Sequence, residues 1–300
     1  MKQMDLASHP DSAAYGLLMP RSPLVRRLLA RNASPFTFTG TGTFVVGQGV
    51  VAVIDPGPDD PAHVNALIQA LAGETVSHIL VTHTHMDHSP AAPALQAATG
   101  AMIVGCAPLV LSDDGPRADA GFDSTYAPDR VMVDGDSVSG GQDAGRWTLT
   151  AVHTPGHTSN HLCFALAQER ALFTGDHVMG WSTTVVAPPD GDMADYMASL
   201  EKLMARDDAI YHPTHGEAVT DPQRFVKHLL AHRRQRENQV LRAIDEGLVT
   251  VPAMVAAMYA MVDKRLHPAA ARSVLAHLID LERRGRVARA GEAWMKTGVA

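Results

Sequence analysis

This sequence predicts a layered α/β fold followed by a small, mostly helical, winged-helix-like unit, and three observations lead there. Up to about residue 221, short β-type runs alternate with amphipathic helical stretches. Several of those runs stop at a histidine or aspartate followed by Gly, Pro or Thr, which places reactive side chains on loops at strand ends. Beyond Asp221 the periodicity turns helical and the charge reverses: residues 1–221 carry 11 basic and 25 acidic side chains, residues 222–300 carry 14 and 7. Such asymmetry within one chain marks a second domain, giving the division 1–221 and 222–300.

The elements follow in order. "FTFTGTGTFVVGQGVVAVIDPGP" reads as two or three strands with Gly turns, the last ending at Asp55. "DPAHVNALIQALAG" is a helix closed by Gly73. "VSHILVTH", "AMIVGC", "RWTLTAVHTP", "HLCFALAQ", "RALFTGDHV" and "DAIYHPTHG" are further strands, and "PAAPALQAATG" is a helix. So is "DMADYMASLEKLMAR", whose Met193, Met197, Leu200, Leu203 and Met204 keep the helical spacing of a core face. In the tail, "DPQRFVKHLLAHRRQRENQVLRAIDEG" starts on an Asp cap with Pro222 in its first turn, two further helices begin near Pro252 and Pro268, and "RVARAGEAWMKTG" makes a hairpin. Helix, helix, helix, hairpin is the winged-helix order.

Composition excludes some classes. With 46% hydrophobic and 19% charged residues in 300, the chain is globular with ample core, and no run approaches the about 18 apolar residues of a membrane span. The apolar residues near Leu17 to Met19 are cut short by Pro20 and Arg21, so no signal-peptide core forms and a cytoplasmic location is the expectation. Cys106 and Cys163 sit in apolar runs without CxxC spacing and read as buried free thiols.

The densest chemistry is "LVTHTHMDHSPAA", which crowds His83, His85, Asp87 and His88 directly after an apolar run. Imidazole nitrogens and carboxylate oxygens are the donor set that zinc and similar divalent ions prefer. A two-metal centre needs more ligands than these, and other strand ends offer them: His153, His157 and His161 in "HTPGHTSNH", Asp176 and His177 in "LFTGDHV", His212 and His215 in "YHPTHGE".

In order, HTHMDH, TPGHT, TGD and THG resemble the metal motifs of the metallo-β-lactamase superfamily. The resemblance implies an αββα sandwich with His83, His85 and His157 on one metal, Asp87, His88 and His215 on the other, and Asp176 bridging. It also implies a dinuclear, metal-dependent hydrolase working through a metal-bridging hydroxide, with Asp87 as the catalytic group that orients the water or takes its proton. The metals would be two divalent ions, zinc first, with iron or manganese accepted by the same ligands. Over nearly the full length, "SPFTFTGTGTFVVG", "TGDHVMGWSTTV", "AHRRQRENQV" and "LAHLIDLERRGRV" are similar to the beta-lactamase-like protein 2 family, in which a winged-helix-like domain follows the catalytic one. Gly42 here replaces the Asn of that family's "GTNT" form.

Two substrate classes follow. The first is a small ester, thioester or lactone. The second is single-stranded RNA, cut by an endoribonuclease whose basic tail holds phosphates. A β-lactamase is disfavoured because no cysteine accompanies Asp176, and a diiron redox protein because no flavin segment is evident. His177 and Trp181, just after the bridging aspartate, are expected substrate contacts, and Tyr196 either walls the pocket or packs the core. No membrane partner is expected, and the tail is a candidate homodimer contact.

Overall fold

Period-two alternation in the first 221 residues builds two sheets that face each other. The computed structural model describes residues 14–111 and 121–298. Residues 1–13, on which the expectation about a signal sequence partly rests, lie outside that range.

The first sheet runs in the order β1 (Leu18–Pro20), β2 (Val25–Leu29), β3 (Gly42–Gln48), β4 (Val50–Ile54), β5 (Thr75–Val81), β6 (Met102–Gly105) and β7 (Arg130–Val131). Strands β1 to β4 pair antiparallel, and β4 to β7 pair parallel. Parallel neighbours need crossovers, and helices α1 (Pro61–Ala70) and α2 (Ala92–Thr99) supply them, burying Leu67 and Leu95 against the sheet's outer face. With both faces covered, β4 is a continuous apolar run and β5 ends in one, Ile79 to Val81.

The second sheet has the order β12-β11-β10-β9-β8, with β8 (Ser137–Gly140), β9 (Trp147–His153), β10 (Leu162–Leu166), β11 (Ala171–Gly175) and β12 (Ile210–Pro213). Its alternation sorts two faces. Leu162, Phe164 and Leu166 join the core between the sheets, while Cys163 joins the outer core under α3 (Met193–Met204). Helix α3 is capped by Asp192, which accepts from Ala194 and Asp195 N–H, and its Met193, Leu200 and Leu203 are core as expected.

Helix α4 (Pro222–Asp245) serves two cores in turn. Val226, Leu229 and Leu230 pack with α3 on the second sheet. Val240, Leu241 and Ile244 pack with α5 (Val251–Met258), α6 (His267–Arg283) and the hairpin of β13 (Val287–Ala290) and β14 (Ala293–Lys296). The layers are therefore helix, sheet, sheet, helix, followed by three helices and a hairpin. Among the described residues, no helix is long and apolar enough to cross a membrane.

Some local expectations fail for identifiable reasons. "FTFTG" is a turn and an isolated bridge, because Phe38 at φ 57° and Gly40 at φ 137° take it out of extended geometry. Strands β1 and β2 arise where no strand was expected, since Arg26 and Arg27 interrupt the apolar run of β2. Short β7 and β8 are likewise new.

Trp147 joins the sheets: fully buried, it donates its indole N–H to Val50 O at 2.8 Å. Trp147→Ala should cost about 3–5 kcal/mol in urea unfolding followed by circular dichroism, from lost burial plus a cavity.

Candidate metal centre

Each reactive side chain leaves the carboxyl end of a strand. His83, His85, Asp87 and His88 follow β5, His157 follows β9, Asp176 follows β11 and His215 follows β12. Parallel pairing of β4 with β5 and of β11 with β12 puts these ends at one edge of the sandwich.

Two glycines make the local approach. Gly156, at φ 133°, lets α3 lie against the loop before His157; a Cβ there would stand 2.3 Å from Tyr196 Cα. Gly175, at φ 50°, would place a Cβ 2.6 Å from His161 Nε2 and 2.9 Å from Thr82 Oγ1. The motifs TPGHT and TGD therefore need glycine for packing next to their ligands.

The site has two lobes. His83 Nε2 and His157 Nε2 lie 3.0 and 3.1 Å from His85 Nδ1, and Asp176 Oδ2 is 3.7 Å from His157 Nε2. In the other lobe, His215 Nε2 is 3.1 Å from Asp87 Oδ2 and 3.3 Å from Asp176 Oδ1, with His88 Nε2 3.5 and 3.6 Å from the same two carboxylates. Asp176 therefore turns one oxygen to each lobe.

Outer contacts fix which nitrogen faces inward. Thr82 Oγ1 donates to Asp55 at 2.9 Å, so it can only accept from His83 Nδ1–H at 3.0 Å. His88 Nδ1 donates to Asp55 Oδ2 at 2.9 Å, His157 Nδ1 to Val185 O at 2.7 Å, and His215 Nδ1 to Gly40 O at 3.2 Å. Those contacts leave Nε2 as the inward atom in four rings, with His85 offering Nδ1. His161 supports from behind: Nδ1 meets Thr154 Oγ1 at 2.9 Å, and Nε2 accepts the Asp176 backbone N–H at 3.3 Å.

Electrostatics differ between the lobes. Burial, together with the neighbouring imidazoles, holds His83 well below its ordinary pKa and His85 down at about 3, so both are neutral donors. Burial alone would lower His88 and His215 too, yet Asp87 and Asp176 beside them raise both. Burial likewise opposes ionisation of Asp87 and Asp176, but His88 and His215 hold both below the usual carboxylate range.

The donor set fits divalent metal. His83, His85, His157 and Asp176 form one group and Asp87, His88 and His215 another, the chosen ligand atoms of each lying within 4.8 Å of one another. His88 Nε2 and Asp176 Oδ1 are buried without a hydrogen-bond partner. Nitrogen lone pairs at 3.0 Å repel unless a cation or proton sits among them, and the buried Asp176 with the half-buried Asp87 beside it calls for positive charge.

Residues 37–215 match the sequence pattern of the Metallo-beta-lactamase superfamily. The chain belongs to that superfamily. Residues 250–294 match the Beta-lactamase associated winged helix domain. The chain is 34% identical over 259 residues to lactamase-like protein notP of Aspergillus sp. (strain MF297-2), covering 79% of this chain and 73% of that one. It is 33% identical over 227 residues to the atrochrysone carboxyl ACP thioesterase AgnL7 of Paecilomyces divaricatus, covering 75% and 65%. A Beta-lactamase domain protein from Burkholderia ambifaria superposes with TM-score 0.76 at 20% identity, covering 95% of this chain and 94% of that one. A metallo-beta-lactamase family protein from Thermus thermophilus does so with TM-score 0.71 at 21% identity, covering 92% and 99%. These two likenesses show the fold.

As a metallo-beta-lactamase superfamily hydrolase, the chain brings all seven expected ligand residues together. His85, Asp87, His157, Asp176 and His215 line a cavity of about 200 Å³ whose rim carries the partly exposed Phe36 and Met86. The expected substrate contacts lie elsewhere. His177 is fully buried, its ring against Tyr196 at 4.8 Å, because the chain turns inward straight after Asp176. Trp181 stacks on Phe38 at 5.0 Å and backs the 34–38 loop instead of lining the cavity. Tyr196 is core.

Sequence reading missed Asp55, Thr82 and Asn32. Asp55 is fully buried, and Asn32 takes both groups of Thr41, whose hydroxyl lies 3.2 Å from Asp87 Oδ2. The space beside Gly42 is filled by the Arg27 side chain, which a Cβ would meet at 2.2 Å. An acidic residue ending a central strand before a Pro/Gly break was the available signal for Asp55. Asp55→Asn should weaken zinc binding by about 10–100-fold in competition titrations, since the residue orients two ligand rings.

Proposed function

We propose that the protein is a dinuclear, metal-dependent hydrolase of acyl thioesters or a related small ester or lactone. The observation that carries this reading is a two-lobed ligand set, shared through Asp176, at the floor of a small cavity with an apolar rim. His83, His85 and His157 would hold one divalent ion, Asp87, His88 and His215 the other, with Asp176 between them. Zinc suits the donors best, and iron or manganese are also accommodated. When bound, such ions supply an activated water and positive charge that polarises a carbonyl.

The chain's own residues do the rest. Asp87 reaches the cavity and is positioned by Thr41 and His215, so its carboxylate can take a proton from the attacking water and return it to the departing thiolate or alkoxide. Phe36, Met86, Met179 and Val185 give the acyl portion an apolar seat and keep bulk water from the carbonyl. The thioesterase names among relatives point the same way.

Two observations weigh against RNA. Among the described residues lining the cavity, none is Lys or Arg, whereas a phosphodiester strand calls for a cationic groove. Arginines of the basic tail are also engaged within the molecule: Arg234 with Glu201, Arg283 with Asp192, Arg284 with Glu237 and Asp280.

The test is a panel of acyl-CoA and N-acetylcysteamine thioesters, an aryl ester, a lactone and a fluorogenic single-stranded RNA, with zinc-loaded protein and Asp87→Ala as control. Thioester turnover should fall by about 100-fold or more in Asp87→Ala. RNA cleavage above that control, with no acyl substrate turned over, would overturn the proposal.

A further inference from the structure

We propose that Arg233, on the helix that leads into the C-terminal unit, is a positioning residue for the metal centre. It fixes the strap at residues 184–187, whose Thr184 hydroxyl and Val185 carbonyl orient Asp176 and His157. This inference rests on the metal reading above and adds a task for the tail.

The contacts run in sequence from the tail to the ligands. Arg233 is buried, although it belongs to a run of basic residues. Its guanidinium donates to Thr184 O and lies over the Tyr196 ring, 5.1 Å from the centroid. Thr184 Oγ1 in turn shares its proton between Asp176 O at 2.8 Å and His177 O at 3.0 Å. One residue on, Val185 O takes the Nδ1–H of His157 at 2.7 Å. Asp176, which faces both lobes, and His157 of the first are thus held by a short strap that has no regular secondary structure. Its first two carbonyls are taken by side chains, Thr184 O by Arg233 and Val185 O by His157, while Ala187 O takes the Gly191 N–H at 2.8 Å.

A mere interface role fits less well. Sealing the contact between α3 and α4 needs only apolar groups, which Val226, Leu229 and Leu230 already provide. Burying a guanidinium there is costly unless its hydrogen bonds are used. Arg272 and Arg283 of α6 take the next acceptors along the same segment, Pro188 O and Asp192, so the tail grips 184–192 at three places. Of the three, Arg233 alone acts on the part that touches metal ligands.

The experiment is a zinc titration of chelator-stripped, full-length protein against a chromogenic competitor. Wild type should bind two zinc ions, and failure there would remove the metal reading itself. Arg233→Met, which keeps the apolar stem, should bind at least one ion about tenfold more weakly, with Arg233→Lys intermediate. Arg283→Ala loosens the same interface away from the strap and should stay within about twofold of wild type. Thr184→Val cuts the strap's bond to Asp176 without touching the tail and should reproduce the Arg233→Met loss. Its combination with Arg233→Met should add less than the sum of the two, because both act through one strap. Unchanged zinc affinity in Arg233→Met, with only a lower melting temperature, would overturn the proposal. Should that variant fail to fold, unchanged affinity in Thr184→Val would do the same.

Discussion

The site depends on one buried carboxylate that does not line the cavity. Asp55 accepts from Thr82 N–H and Thr82 Oγ1 at 2.9 Å, from His88 Nδ1 at 2.9 Å and from Thr214 Oγ1 at 3.0 Å. It thereby ties the end of β5 to the end of β12, which come from different sheets. It also sets the tautomer of His88 directly and of His83 through the Thr82 hydroxyl. Asp55 sits at φ 49°, a left-handed conformation that costs a non-glycine residue roughly 1–2 kcal/mol. The four hydrogen bonds it accepts hold it in that conformation.

The opposed charges of the two parts of the chain find a structural meaning at the α3, α4 and α6 contact. Arg234 meets Glu201 at 3.2 Å, and Arg283 meets Asp192. Exposed pairs of this kind contribute about 0–1 kcal/mol each, too little to hold a domain in place. Adhesion comes instead from the shared apolar core of Tyr196, Leu200, Val226, Leu229 and Ala276. The charges then favour one orientation, because Arg234 of α4 and Arg283 of α6 each meet a carboxylate at an end of α3.

Legibility in the sequence followed the range of the determining contacts. Central strands and the seven residues that meet at the site were readable, since periodicity and motif spacing are local. Residues whose roles are set by distant partners were not. Asp55 acts through Thr214, 159 positions away. Trp181 and His177 follow Asp176 closely, but proximity in sequence does not tell which way a loop side chain turns, and neither lines the cavity. Arg233 stands in a run of basic residues, yet Val226, Leu229, Leu230 and Arg233 share one helical stripe, and that spacing puts it on the buried side. The first strands escaped notice because β2 carries two arginines within an otherwise apolar run.

Helix α4 is one unbroken rod of 24 residues, rooted at one end in the sandwich and at the other in the tail's own core. A hinge between the two parts would have to break backbone hydrogen bonds in its middle. Their relative attitude is therefore written in residue count: removing one position between Leu230 and Val240 would turn everything beyond by about 100° around the rod. The rod behaves like a shaft between two gears, where insertions are tolerated only in near-whole turns, so geometry constrains its length even where its side chains are exposed.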